Sequence, residues 1–347
     1  MAQNSSQLAE QIIEVFESLS PNEQRRMLSR LKSLASDDRS GIDGFVDKLR
    51  DKRFRKGFAC PYCKHDKVIR HGIQNGRQRY RCHGCCRTFS DHTHTPFRGT
   101  RYPELWPQFM ELMVKGYSIR KTAERLNVSP STIFTWRHKV LEALKRMEPG
   151  DFDGLLEVDE TYFLYSEKGK RNIAGREPRK RGGSSKFRGI SREQVCVVVA
   201  RDRIKQTHAR VACMGPITKA KAIILLSPYV GSVKSICSDA NGTWRVFSGE
   251  AGIDHKELNL KRKQRVIQRI YHIQNVNSFH ARLRDWMHRF KGVATKFLDN
   301  YLTWFRFIDA RAKESTSTKK IEMLLTACLP ISPERYTDIR STQLILP

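Results

Sequence analysis

The sequence predicts a multi-domain α/β protein whose largest part is built on a mixed β-sheet. Three observations carry that expectation. Strand-type runs recur at Leu155–Phe163, Val195–Ala200, Ala209–Met214 and Val233–Asp239, and helical spacing follows at Ile223, Ile224 and Leu226 and again from Val276 to Phe290. Ahead of them stands a compact module with two C-x2-C pairs. Between the two, Tyr102 to Met147 has helical periodicity and no strand pattern.

Composition narrows the partner. At 347 residues with 39% hydrophobic residues, the chain can bury at least one sizeable core. Its 64 Lys and Arg against 36 Asp and Glu give a formal charge of +28, so the molecule as a whole is drawn to a polyanion, and double-stranded DNA is the expected partner. No apolar run approaches the roughly 18 residues of a spanning helix, and Met1 to Ser20 lacks the basic end and apolar core of a signal peptide. We therefore expect a soluble, cytoplasmic protein with no membrane partner.

Residues 1–50 form the first segment. Leu8, Ile12, Val15, Phe16 and Leu19, then Met27, Leu28, Leu31 and Leu34, recur at helical spacing on either side of Ser20-Pro21, which predicts a helical hairpin with no visible catalytic group.

Residues 54–92 are the cysteine module. Five of the nine cysteines fall within 27 positions, and Cys60-Pro-Tyr-Cys63 and Cys82-His-Gly-Cys85 are separated by 18 residues, a spacing that lets two turns present four thiolates to one structural Zn²⁺. Val68-Ile69-Arg70 and Gln78-Arg79-Tyr80 read as short strands around an Asn75-Gly76 turn, which makes the module a zinc ribbon. A redox or disulfide pair is the competing reading, and Cys86 is left as a spare thiol.

Residues 101–148 are helical. Leu105, Phe109, Leu112 and Met113 mark one helix ended by Gly116; Ser118 caps a second; and Ser129-Pro130 opens a third that runs through Ile133, Trp136, Val140, Leu141 and Leu144. The arrangement resembles a helix-turn-helix, which implies that Ser131, Thr132, Thr135, Arg137 and His138 face DNA. A plain three-helix bundle is the bland alternative.

Residues 152–313 carry the candidate chemistry. Leu155 to Phe163 combines strand-forming residues with Glu157, Asp159 and Glu160, and carboxylates on such a strand are costly unless they bind metal. A later apolar strand delivers Asp239 at its end, where it can lie beside Asp159 across adjacent strands and form a two-metal site. Within this block an insertion, 164–191, holds nine basic residues from Lys168 to Arg188, among them Arg179, Lys180, Arg181, Lys186 and Arg188, and is suited to clamping DNA.

With Val158-Asp159-Glu160-Thr161-Tyr162, Ser238-Asp239 and His272 to His280 leading into Phe290 to Leu302, the chain from about Phe58 to Lys313 resembles the DDE-type insertion-sequence transposases that join a zinc ribbon to an RNase H-like domain. The resemblance implies an RNase H-like mixed-sheet catalytic domain preceded by a zinc ribbon and a helix-turn-helix. It also implies a catalytic set of Asp159, Asp239 and Asn277, an Asp-Asp-Asn branch of the family, with two Mg²⁺ ions. Arg284 stands two helical turns after Asn277, where the family commonly has lysine, and Lys291 follows as a further DNA contact. Asn277 brings no charge, so Glu160 or Glu157 is available to help; its competing reading is a helix N-cap.

Function follows from the resemblance: binding of terminal inverted repeats, Mg²⁺-dependent strand cleavage and strand transfer, and a homo-oligomer on element ends and target DNA, associated with the nucleoid of a prokaryote. A non-catalytic DNA-binding regulator and an RNase H-like nuclease without strand transfer are the alternatives. Residues 314–347 form a C-terminal tail, helix-like from Ile321 to Cys328, with no functional signal.

Overall fold

The computed structural model describes residues 59–74, 77–145, 150–173, 175–177, 182–259 and 264–328, together with 13–20 and isolated positions near both termini. Residues 13–18 are helical, while the remainder of the expected N-terminal hairpin lies almost entirely outside the described residues, as does the Asn75-Gly76 turn. The chain divides into two compact units: 1–115 with 122–129 and 316–334, and 116–121 with 130–315 and 335–347.

In the first unit, β1 (Val68–Gln74), β2 (Arg77–Cys82) and β3 (Thr88–Ser90) form an antiparallel sheet. Val68 pairs with Cys82 and Tyr80 with Phe89. Its small core is Cys60, Tyr80, Cys82 and Phe89, so the two buried cysteines belong to the hydrophobic centre. Helix α1 (Trp106–Val114) buries Trp106, Phe109, Met110 and Met113, and Phe97 lies against Trp106 with ring centroids 4.4 Å apart. Packed on α1 is α8 (Thr316–Cys328), which gives the C-terminal tail a structural role its sequence did not suggest. Helix α2 (Ile119–Leu126) ends at Asn127, whose φ of 49° is left-handed, and Val128 N donates to Ala123 O at 3.1 Å. This is a closure of the kind Asn favours at a helix end.

The second unit holds a five-stranded mixed sheet. Its strands are β4 (Asp153–Leu164), β5 (Gln194–Asp202), β6 (Thr207–Met214), β7 (Ser232–Asp239) and β8 (Asp254–Leu258), in the order β6-β5-β4-β7-β8. The first three are antiparallel, and β7 and β8 then run parallel to β4 and to each other. An α/β chain with a mixed sheet is what the strand patterns predicted.

Period-two alternation assigns each residue of β4 to a face. Leu156 and Val158 point into a core with Val198, Ala200, Ala212, Leu226, Trp244 and Phe247, supplied in part by α4 (Lys219–Leu226) and α5 (Gly242–Ala251). Glu157, Asp159 and Thr161 point to the other face, where α6 (Gln274–His288) packs on β4 and β5 and α7 (Leu298–Ala310) on β6. Helix α3 (Pro130–Lys145) packs on α7. A nearly buried ion pair between Arg201 and Asp309, 2.8 Å, ties β5 to α7.

Candidate active site

The site is made where β4 outruns β7. The two strands are in register through Glu157 opposite Cys237, and β7 ends two residues later at Asp239. Asp239 therefore finishes level with Asp159, as the sequence reading anticipated, and β4 continues alone on that side. Ligand oxygens of Asp159, Glu160 and Asp239 lie within 4.8 Å of one another. Glu160 belongs to the opposite face by alternation, yet it joins the cluster at this strand end. Asn241 holds it: the side chain donates from Nδ2 to Glu160 Oε1 at 2.9 Å and accepts from Thr243 N at 3.0 Å as the cap of α5.

Like charges brought together under partial burial are electrostatically unfavourable without a cation. Burial, then the charge of Asp239, pushes the Asp159 carboxyl up to about 7, against the opposing pull of the Glu160 backbone N–H and Arg284. Burial followed by the charges of Asp159 and Asp239 pushes Glu160 up to about 7 as well. An oxygen-rich cluster of this kind fits hard divalent cations such as Mg²⁺.

Helix α6 aligns with β4 by a match of two repeats. Two strand residues advance about 6.6 Å and four helix residues about 6 Å. Successive turns of α6 therefore meet alternate residues of β4: the N-terminus meets Glu157, His280 meets Asp159 and Arg284 meets Thr161. His280 Nδ1 lies 3.7 Å from Asp159 Oδ2, with the ring nearly buried, and burial lowers the histidine to about 4. Arg284 Nη2 donates to Thr161 Oγ1 at 2.8 Å.

Glu157, which sequence reasoning held open as a metal ligand, has another occupation. Fully buried, its carboxylate accepts from Asn275 N at 2.8 Å, Asn275 Nδ2 at 2.7 Å and Val276 N at 3.1 Å, and pairs with Arg203 at 2.8 Å. Asn275 and Val276 are the second and third residues of α6, whose own N-cap position, Ile273, has no side-chain acceptor. Glu157 thus does for α6, from a neighbouring strand, what an N-cap side chain normally does.

Asn277 is not an N-cap. It lies inside α6, and its N–H donates to Ile273 O at 3.0 Å. Its side chain is exposed, one turn before His280 and on the helix face shared with His280 and Arg284. Among the described residues, Asp159, Glu160 and Asp239 form the close cluster of carboxylates there.

The DNA-facing expectations for α3 need correction at two positions. Arg137 and His138 are buried at 0% and 1% exposure. Arg137 Nη2 donates to Tyr117 O at 2.6 Å and its guanidinium lies over the Trp304 ring at 4.9 Å, while His138 Nδ1 is 3.2 Å from Asn300 Nδ2. Position 137 falls in the apolar stripe through Ile133, Val140 and Leu144, a signal available in the sequence. Ser131 is exposed, and Thr132 and Thr135 are half-buried. In the basic insertion Lys186 and Arg188 are exposed, whereas Arg179, Lys180 and Arg181 lie outside the described residues. Lys291 is exposed on a left-handed turn, φ 52°.

The cysteine module presents a second candidate metal centre. Cys60 Sγ lies 3.7 Å from Cys85 Sγ and Cys63 Sγ 3.5 Å from Cys82 Sγ. Tetrahedral thiolates at about 2.3 Å from zinc would stand about 3.8 Å apart, whereas a disulfide needs about 2.05 Å, so the spacing fits the metal. Both C-x2-C turns repeat one local geometry: Cys60 N donates to His65 O and Cys82 N to Arg87 O, and the residues after each pair, Lys64 and Cys86, have φ of 64° and 56°. Backbone N–H groups point at sulfur, from Tyr62 to Cys60 at 3.4 Å and from Gly84 to Cys82 at 3.3 Å. The Cys85 backbone N–H leads in lowering Cys82 to about 6, whereas burial raises Cys60, and, against the His65 backbone N–H, burial with the Cys82 thiol raises Cys63 to about 12. The Cβ of any other residue at Gly84 would come within 2.7 Å of the His65 ring, which explains glycine there.

Two comparisons bear on this site. Residues 151–308 match the family model for an ISXO2-like transposase domain, a stretch that opens just before β4 and closes within α7. Over 261 residues, covering 74% of this chain and 87% of the relative, the chain is 26% identical to an uncharacterised protein in the transposable element ISH50 of Halobacterium salinarum. Both support a transposase of an insertion sequence. No helix among the described residues is long and apolar enough to cross a membrane.

Proposed function

Starting from the transposase that these comparisons support, we propose that the chain cleaves and rejoins DNA at the ends of an insertion sequence, with Asp159, Asp239 and Glu160 as the cation-holding set and Asn277 as a neutral fourth oxygen. The observation that carries this is the convergence of the three carboxylates where β7 ends beside the middle of β4, inside the stretch that matches a transposase domain. The antiparallel-then-parallel strand order and the position of the carboxylates favour an RNase H-like catalytic domain.

Bound there, Mg²⁺ ions would lower the pKa of a water or 3′-hydroxyl and stabilise the charge that builds on the phosphate. The protein's own groups set the geometry. His280 packs its neutral ring beside the Asp159 carboxylate, Asn241 fixes Glu160, and Arg284 presents a guanidinium to a phosphate beside the cluster. The four-cysteine sheet is a structural zinc ribbon in this reading, α2 and α3 are a helix-turn-helix with Ser131, Thr132 and Thr135 toward DNA, and two element ends are brought together by a homo-oligomer. A net charge of +28 supplies the long-range attraction.

The test is an assay of Mg²⁺-dependent cleavage and strand transfer on a duplex carrying the terminal repeat of the element that encodes the chain. Native protein is expected to yield joined products. Asn277→Ala is expected to reduce their rate about 10- to 100-fold, the loss of one neutral ligand amounting to some 1.4–2.7 kcal/mol of barrier. Tight binding without any cleavage would make the chain a DNA-binding regulator, and cleavage without joining a nuclease. For the ribbon, one zinc per chain is expected in purified protein, and chelation or Cys82→Ser should lower the melting temperature of the first unit. Absence of zinc from protein with unchanged melting would remove the metal from the reading.

A further inference from the structure

Within the second unit, away from the acidic cluster, a groove of about 480 Å³ opens between the start of α3, the segment that follows β4 and the turn that follows α6. Its floor is aromatic. Phe134, His138 and Phe297 lie against one another, with ring centroids 4.2–5.5 Å apart. The rim is cationic: Arg120, Lys168, Arg289 and Lys291 line it, and among the described residues no carboxylate does. In the wider cavity that continues from it, Glu167 is the acid, and it is paired with Lys170 at 2.9 Å and Arg176 at 3.1 Å.

The groove is built rather than incidental. Lys168 Nζ donates to the carbonyls of Phe290, Lys291 and Gly292 at 2.9, 3.2 and 2.7 Å, a cation set on the last carbonyls after α6, where the helix dipole is negative. Ser166 and Thr295 exchange two bonds of 2.8 Å across the same walls. These five bonds fix the start of the basic insertion to the turn that carries Lys291, so Lys168 and the backbone under Lys291 are held in place before any ligand arrives.

We propose that this groove takes the sugar–phosphate backbone of the DNA strand that leads away from the acidic cluster, with a deoxyribose against the half-buried Phe134 and phosphates at Arg120 and Lys291. Cation rim and apolar floor are complementary to that polymer, phosphate by charge and sugar by contact. Helix α6 supplies the ruler. From His280, beside Asp159, to Arg289 is nine residues, and with the turn to Lys291 the span is about 15 Å. At about 3.4 Å per base pair, the grooved phosphates lie four or five base pairs from the scissile bond. The proposal rests on the transposase reading of the acidic cluster.

The experiment compares native protein with the double variant Arg120→Ala/Lys291→Ala on a terminal-repeat duplex, measuring affinity against salt and phosphate-ethylation interference, with cleavage by the native protein followed in parallel. Both side chains are exposed, and Arg120→Gln/Lys291→Gln is the second pair should the first misfold. Loss of two phosphate contacts should lower the salt slope by about 1.8 and the affinity about 30-fold near 0.15 M salt. Interference four or five base pairs from the cleaved bond should vanish in the variant. An unchanged slope and interference pattern, with native cleavage intact, would overturn the groove and leave the active-site reading standing. A lowered slope without any native cleavage would do the reverse.

Discussion

Asp159→Asn is expected to abolish Mg²⁺-dependent strand cleavage, by about 10³-fold or more, while raising the melting temperature of metal-free protein at pH 8. The first effect follows from removing a charged ligand from a cluster whose oxygens lie within 4.8 Å of one another, a loss of some 4 kcal/mol of barrier stabilisation. The second follows from the same proximity. Asp159 and Glu160 are held up to about 7 by burial and by their neighbours, against an unfolded value near 4. Between pH 4 and 7 the folded state then binds more protons than the unfolded one, so stability contributed by these groups rises as pH falls through that window and is lowest above 7. Asparagine removes one charge while its carbonyl can still accept the Glu160 N–H, now bonded to Asp159 at 2.9 Å. A gain on the order of 2 kcal/mol at pH 8, a shift of roughly 5 °C, is expected in EDTA.

Native protein should show the complementary behaviour. Added Mg²⁺ should raise its melting temperature at pH 8, where Asp159 and Glu160 are ionised, and have little effect at pH 5.5, where they carry protons. A melting temperature indifferent to Mg²⁺ at pH 8, together with no stabilisation from Asp159→Asn, would mean the carboxylates are not a cation site.

Asp239 was legible because strand patterning shows where β7 ends, and Asp159 because a carboxylate within β4 can lie level with that end on the adjacent strand. Glu160 was harder. Alternation sends it to the other face, and only the excess length of β4 over β7 frees its side chain to reach the cluster. Glu157 was harder still, since it shares a face with Asp159 and differs only in lying about 6.6 Å further back, under a helix that comes more than a hundred residues later. What the sequence does contain is a helix start with isoleucine where a capping residue belongs, a sign that the acceptor comes from elsewhere. The two corrected positions in α3 have a different origin. The helix-turn-helix resemblance suggested a DNA-facing role for Arg137, but its place in the apolar stripe, with Trp304 to stack on and Tyr117 O to bond, decided its burial.

Glu157→Ala should be the most destabilising single change in the sheet unit. The side chain is fully buried and answers five polar groups: two backbone N–H groups of α6, the Asn275 amide, Arg203 and, at 3.4 Å, His272. Truncation leaves those N–H groups and the Arg203 charge without their acceptor, and removing one partner of such an arrangement costs about 3–5 kcal/mol. For a unit of this size the melting temperature should fall by roughly 10 °C. Glu157→Gln separates anchoring from bulk. Its carbonyl oxygen can still accept from the N-terminus of α6, but its amide turns a donor toward Asn275 Nδ2 and Arg203, so about half the loss is expected. Because the anchored turn carries Asn277 and leads into His280, the Gln variant should also lose strand-cleavage rate at saturating DNA while binding DNA as native does. Full stability and full rate in Glu157→Gln would show that α6 is held by its apolar face alone, through Val276, Phe279 and Leu283, and that the carboxylate is dispensable to the site.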